Sequence, residues 1–359
     1  MTSRVTTLVR SGWWVAAAGI LVALVILILA WQAPEDRGHG LVGDGRDPTT
    51  YGFDLSSSLL PPDGVVASGM PRDGLMALVE PEMLTAPSVE ALNQEGRGKF
   101  LLPTDRVVGL EVDGEARAYP VRFMRWHEVV NDVVGGVPAL VTYSPLCDAA
   151  VASVRRIDDK VLEFGHSGLI FNSNTLLYDR GPDAATGSLW SQIDQRAVVG
   201  PAAAKGESLE LLPAALCTWG QWRETHPDSL VLAPLEHLRR VYKRDPYHSY
   251  FGSDILRFPV EPLPANHDLA LKERVLILTV NGDDVVFALS RIASAVGADT
   301  GRWSTTVGDL PVTIDFDLER GTALAGWPEY TGHDVASRQM FWFAWHAQHP
   351  GTPAPGPLP

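Results

Sequence analysis

The chain has 359 residues, 45% of them hydrophobic and 20% charged, a balance that gives a large globular core and excludes a disordered protein. Its formal charge of -14 repels phosphate backbones, and no basic stripe with interleaved aromatics runs through it, so no nucleic-acid partner is expected. Most of the 11 tryptophans are expected in the core or lining a cleft, because the indole is large and apolar.

The first element is the uncharged run from Trp13 to Trp31, long enough to cross a bilayer as a helix, with Trp13, Trp14 and Trp31 at its ends. Arg4 and Arg10 precede it, and Glu35 and Asp36 follow. The positive-inside rule then leaves residues 1–12 in the cytoplasm and everything after Trp31 outside, in a single-pass cell-membrane protein. A cleaved signal peptide is the rival reading, but the apolar run is long for one and "LAWQAPED" lacks an A-x-A site, which favours an uncleaved signal anchor. Residues 32–53 are rich in Gly and Asp and read as a tether, in which His39 is a solvated polar residue. A single extracytoplasmic domain is expected over 54–349, followed by a disordered tail at 350–359.

Within that domain the chain repeats itself, over about 104–180 and 272–345. "RVVGLEVDGEARAYP" from Arg106 matches "RVLILTVNGDDVVFA" from Arg274, with Asp113-Gly114 facing Asn281-Gly282. Each copy reads as a hairpin, because Asp or Asn followed by Gly accepts the positive φ angles of a tight primed turn. A helix-like segment follows in both, then "GGVPALVTY" (Gly135 to Tyr143) or "GDLPVTIDF" (Gly308 to Phe316), each entering a strand. The expected fold is α+β and β-rich, two related β-β-α-β halves forming a barrel or mixed sheet. Between the copies lie further short strands, and "CTWGQWRETHP" (Cys217 to Pro227) reads as a helix that buries Trp219 and Trp222.

The chemistry-bearing residues cluster in the first copy. In "WHEVVND", His127 and Asn131 lie four apart and would share one helical face, as two histidines do in a zinc-hydrolase helix, but an amide oxygen is a poor zinc ligand and that signature fails. In the second copy Ala295 and Val296 stand where the first has His127 and Glu128. A role required by the fold should occur in both halves, so this asymmetry points to specialisation. In "TYSPLCDAA", Pro145 breaks the strand and leaves Cys147 and Asp148 at its end, where a thiolate would need a neighbour such as His127. A buried cysteine behaving as a small apolar residue is the plainer alternative. Cys147 and Cys217 are either one disulfide or two free thiols. "GHSGL" lacks the last glycine of a nucleophile elbow and leads into a strand, so a serine hydrolase is not expected. Its surroundings carry His166, Ser167, Asn172, Ser173, Asn174, Asp179 and Arg180, followed by Trp190 and Gln192; such groups line ligand pockets or close strand-end turns. Asp245, Tyr247 and His248 in "RDPYHSYF" are rim candidates.

These motifs together, "PRDGLMAL", "WHEVVND", "VGGVPALVTYSPLC", "FGHSGLIFNSNTLLYDR", "SLWSQ", "TWGQWRETHPDSLVL" and "RDPYHSYF", resemble the bacterial and archaeal domain-of-unknown-function family 3179, over roughly Asp54 to His349. The resemblance implies the domain's extent and an extracytoplasmic setting, and no activity. It also implies Tyr-Cys-Pro-Leu-Cys at residues 143–147, a two-thiolate metal site or dithiol pair, whereas this chain carries Ser144, a weak soft-metal ligand that forms no disulfide.

The expected site therefore gathers His127, Glu128, Asn131, Cys147 and Asp148, with Ser144, His166, Ser167, Asn172, Asp179, Arg180 and Trp190 around it. Cys147 would be ligand or nucleophile, His127 ligand or base, with Glu128 and Asp148 in support and copper or zinc as the metal. The rivals are a non-catalytic module for a small ligand or envelope protein, and a degenerate member that keeps only the fold.

Overall fold

The computed structural model describes residues 42–61, 63–95, 100–181, 187–265, 269–327 and 335–355. The expected anchor Trp13–Trp31 lies outside them, as does the end of the tail; among the described residues no helix is long and apolar enough to cross a membrane. Gly43–Pro359 forms one compact unit, β-rich, with sheets that curl into a half-barrel. The C-terminal part of the expected tether belongs to this unit. Pro48–Tyr51 is a turn of 3-10 helix capped by Asp47, and Tyr51 is buried with its hydroxyl donated to Met70 O at 2.7 Å. Aromatic burial outweighs the local Gly/Asp composition there.

Both hairpins form as their turns require. Arg106–Val112 pairs with Glu115–Pro120 and Arg274–Val280 with Asp283–Ala288, with positive φ at Asp113, Gly114, Asn281 and Gly282. A helix follows each, Val121–His127 or Leu289–Val296, and packs its own hairpin: Val108, Tyr119, Val121 and Met124 form one core, and Leu276, Phe287, Leu289 and Ile292 the other. The repeat then runs further than β-β-α-β. Three strands follow in each half: Val129–Val134, Val137–Ser144 and Ala149–Val154 in the first, Thr300–Val307, Leu310–Asp317 and Thr322–Gly326 in the second.

A closing strand and a helix complete each copy, Ala214–Thr218 with Trp219–Thr225, and Val335–Phe341 with Trp342–Gln348. Their sequences align as Trp219/Trp342, Trp222/Trp345, His226/His349 and Pro227/Pro350. Both members of each Trp pair are buried, and each histidine stacks on the second indole at a centroid distance of 3.8 Å. The expected helix around Trp219 and Trp222 is thus a core element found twice. Gly109 is glycine because Trp222 lies against it: a Cβ there would meet the indole at 2.4 Å. The equivalent residue in the second half is Ile277.

The two halves exchange strands. One eight-stranded sheet joins the second hairpin, through Val335–Phe341, to the first half's three strands; the other joins the first hairpin, through Ala214–Thr218, to the second half's three strands. The registers repeat in kind: Leu216 faces Ala323 where Gln339 faces Ala150, and Thr218 faces Arg106 where Phe341 faces Arg274. A segment inserted between Val154 and Ala214 carries the strands Phe164–Phe171, Asn174–Asp179, Leu189–Ser191 and Ala197–Val199. With Val65–Ala67 they make a five-stranded sheet, and this insert has no counterpart in the second half.

Candidate functional site

His127 ends its helix, because Glu128 adopts a left-handed conformation (φ 57°) and the β-branched Val129 and Val130 begin a strand. Asn131 therefore lies on a strand, and the shared helical face expected for His127 and Asn131 does not exist. Both nitrogens of His127 are taken. Nδ1–H donates to Met76 O at 2.7 Å, and Tyr242 donates its hydroxyl to Nε2 at 2.6 Å. Burial holds the imidazole below its ordinary value, against the raising effect of the Met76 bond, so it is a neutral cross-brace. Cys147 lies elsewhere, its thiol donating to Ser173 O at 3.3 Å inside a different apolar cluster. The structure does not bring the expected imidazole–thiol pair together at His127.

Asn131 imitates a strand neighbour instead, taking the Phe164 N–H at 2.7 Å and donating to Phe164 O at 2.8 Å. Asn172 does the same to Glu261, at 2.9 and 3.0 Å, from the left-handed Asn172-Ser173 turn. Ser167 donates to Leu176 O, and Asp179 accepts the Ser188 N–H at 2.6 Å. Arg180 pairs with Glu163 at 2.7 Å and Asp73 at 2.8 Å. Trp190 packs edge-on against Phe164. These groups satisfy backbone or surface charge and hold the insert to the sheets.

Asp148 stands at the meeting point of the two halves. Arg106 spans its two oxygens at 2.9 and 3.0 Å, Arg274 Nε reaches Oδ2 at 2.7 Å, and Tyr143 donates its hydroxyl at 2.7 Å. The two arginines are equivalent residues of the two copies. Burial raises the Asp148 pKa, but the guanidiniums outweigh it and hold the carboxyl below the usual range. The residue equivalent to Asp148 in the second half is Gly321, whose carbonyl lies 3.4 Å from Arg106 and where a Cβ would strike the Arg274 side chain. One carboxylate is shared by two symmetry-related guanidiniums, a clamp on the fold with both its oxygens already engaged.

What the first half does assemble is a covered polar cluster around Glu128. Thr175 donates its hydroxyl to Glu128 Oε2 at 2.8 Å, and His166 Nε2 lies 3.5 Å from the same oxygen. Gly168 N–H donates to His166 Nδ1 at 3.1 Å, which needs a lone pair there and places the ring proton on Nε2, facing the carboxylate. Gly168 sits at φ 81° in an irregularity of the pairing between His166 and Ile170, and this bend turns the imidazole inward. Ser144 Oγ lies 3.4 Å from Thr175 Oγ1. Cys147 adjoins Asn174 and Ser144; burial pushes its thiol well up, and nearby Glu128 and Asp148 push it further, so it is neutral. Asn174 donates to Gln192 at 2.8 Å, and Gln192 donates to Thr142 at 2.8 Å. The segment from Asp245 to Phe251 covers this assembly. Tyr250 donates to Leu146 O at 2.7 Å, Arg125 pairs with Asp245 at 2.6 Å, and Lys272 is bound to Tyr250 O at 2.6 Å.

Glu128, Ser144, Cys147 and His166, all expected at the site, thus share one neighbourhood, while His127, Asp148, Asn131, Asn172, Asp179 and Arg180 serve the scaffold. Sequence reasoning passed over Thr175, which lies on a strand buried along nearly its whole length and so carries no alternation to mark it. It also passed over the clamp, although the matched Arg106 and Arg274 were visible. Cys217 is buried and free, as is Cys147, so the two form no disulfide. Among the described residues no three His, Cys, Asp or Glu side chains are grouped to hold a metal ion.

A two-fold repeated β-rich domain with one specialised half is the class these features define. The chain belongs to the family of proteins of unknown function DUF3179, whose profile matches residues 72–352. No curated protein and no solved structure matches it.

Proposed function

We propose that the chain is an extracytoplasmic protein tethered by Trp13–Trp31, whose working centre is the covered cluster of Glu128, His166, Thr175, Ser144 and Cys147, a site for a small ligand that gives a proton or an N–H to Glu128. The reading rests on one observation. Glu128 Oε2 is oriented by two donors from the insert, which the second half lacks, and Val296 and Arg320 stand where the first half has Glu128 and Cys147. A buried carboxylate fixed by donors is a prepared acceptor, and the neutral thiol beside it is a wall or proton donor before it is a nucleophile. Copper or zinc on Cys147 and His166 is the second reading. It is opposed by the Gly168 N–H, which occupies Nδ1 and leaves Nε2 protonated toward Glu128.

Native mass spectrometry and elemental analysis of the full chain in lipid nanodiscs separate the readings. A co-purifying small organic mass, lost in Glu128→Gln and kept in Glu111→Gln, supports the acceptor site. Stoichiometric copper or zinc lost in Cys147→Ala replaces it with the metal reading. Neither mass, in a protein whose Glu128→Gln variant melts unchanged, leaves only a scaffold.

A further inference from the structure

Each half carries a cleft beside its stacked Trp–His pair. The first is bordered by Glu111, Gly114, Ala116 and His226, the second by the equivalent Thr279, Gly282, Asp284 and His349, together with Arg338 and two residues of the insert, Asp194 and Arg196. The stacked pair is common to both and belongs to the fold. The charges are not. Arg338 stands where the first half has Ala215, and Asp284 where it has Ala116. The side chains of Arg338 and Asp194 are 4% and 8% exposed. Burying the Arg338 guanidinium costs desolvation that the other half avoids with Ala215, so the fold does not require it.

The hydrogen bonds of this second cleft are incomplete. Arg338 pairs with Asp284 at 2.7 Å, yet its Nε has no acceptor; Asp194 Oδ1 has no hydrogen-bond donor. His349 Nε2 lies 3.3 Å from that oxygen. In the first half, His226 Nδ1 lies 3.2 Å from Trp222 O and 2.8 Å from the Thr225 hydroxyl, which donates to Trp222 O at 3.1 Å, and Nε2 lies 2.9 Å from Glu111. Gln348 replaces that threonine in the second half, where His349 Nδ1–H likewise faces Trp345 O at 3.2 Å. Asp194 Oδ1 thus offers a leftover acceptor, and Arg338 Nε a leftover donor, at one cleft. Arg196 flanks them, its Nε 3.6 Å from Asp194 Oδ2.

We infer that this cleft, about 350 Å³ in volume, binds a small zwitterion of the free amino acid type, its ammonium on Asp194 Oδ1 and its carboxylate on the side of Arg196 and Arg338. The site is separate from the Glu128 cluster and stands without it. Calorimetric titration of the full chain in nanodiscs tests it, with glycine and L-alanine as probes and ethanolamine and acetate as single-charge controls. Saturable binding of a zwitterion is expected, weakened at least about tenfold for each control and in Asp194→Asn. Arg196→Ala, an exposed change, weakens it without altering the melting temperature. Absence of saturable binding by both amino acids overturns the inference, as does ethanolamine binding as tightly as glycine or an affinity unchanged in both Arg196→Ala and Asp194→Asn.

Discussion

The first half of this domain and the second agree wherever the backbone must be held and part company where polar groups gather under cover. Both have the Asp/Asn-Gly turn, the arginine at the head of the hairpin, the paired tryptophans and the stacked histidine. Only the first has Glu128, where the second has Val296, and Cys147, where the second has Arg320. Two copies in one chain act as an internal control: a residue present in both is explained by the fold, and one present in a single copy needs its own reason.

The largest test of that comparison falls on its shared centre. Asp148→Ala leaves Arg106 and Arg274 unpaired in a buried place and should cost about 3–5 kcal/mol, read as a fall in melting temperature and denaturant midpoint. Its pH signature has a fixed sign. Because the folded pKa lies below the ordinary 3.8, the carboxylate's contribution is present above that value and lost as pH falls through the lower one. Wild type should therefore lose stability in that acid range, and Asp148→Ala should show less of this loss.

Next in size are Trp222→Ala and Trp345→Ala, equivalent core indoles that should each cost about 3–5 kcal/mol. A large difference between them in urea unfolding would break the equivalence. Gly109→Ala should cost about 1–3 kcal/mol by forcing a methyl group into Trp222, whereas Ile277→Val, at the equivalent site, should cost about 0.5–1.5 kcal/mol.

His127 gives a smaller, half-specific effect. Burial lowers its folded pKa, so the unfolded chain binds the proton first as pH falls below 6.5. Stability should drop as pH falls from 6.5 toward that lowered value, and His127→Gln should flatten the slope in thermal melts. Its counterpart Ala295 has nothing to titrate. The smallest effect is expected for the thiols. Both should stay unlabelled by maleimide in the native state and react on unfolding, with no change in gel mobility on reduction, since Cys147 and Cys217 are buried and unbridged.

The hairpins, their turns and the existence of two copies were legible because turn chemistry and strand alternation are local. The helix over residues 121–132 was legible only to His127. An i, i+4 spacing carries meaning on a helix alone, and the left-handed turn at Glu128 with its following valines replaced that period by the strand's. The candidate site was legible in part for the same reason. Ser144, Cys147, Glu128 and His166 were visible as chemistry, but their grouping depends on an insert folding back over the first half's strands. His127 lost its partner to Met76 and Tyr242, which are distant in sequence.

Sequence alone therefore determined the repeat, the turns, the apolar faces and the family, since each follows from near-neighbour sterics and hydrophobic period. Tertiary structure decided that the halves exchange strands, that two equivalent arginines share one aspartate, and that Glu128 rather than His127 faces the thiol's surroundings. Those outcomes follow from which surfaces meet when the sheets close, and long-range packing settles what no local spacing encodes.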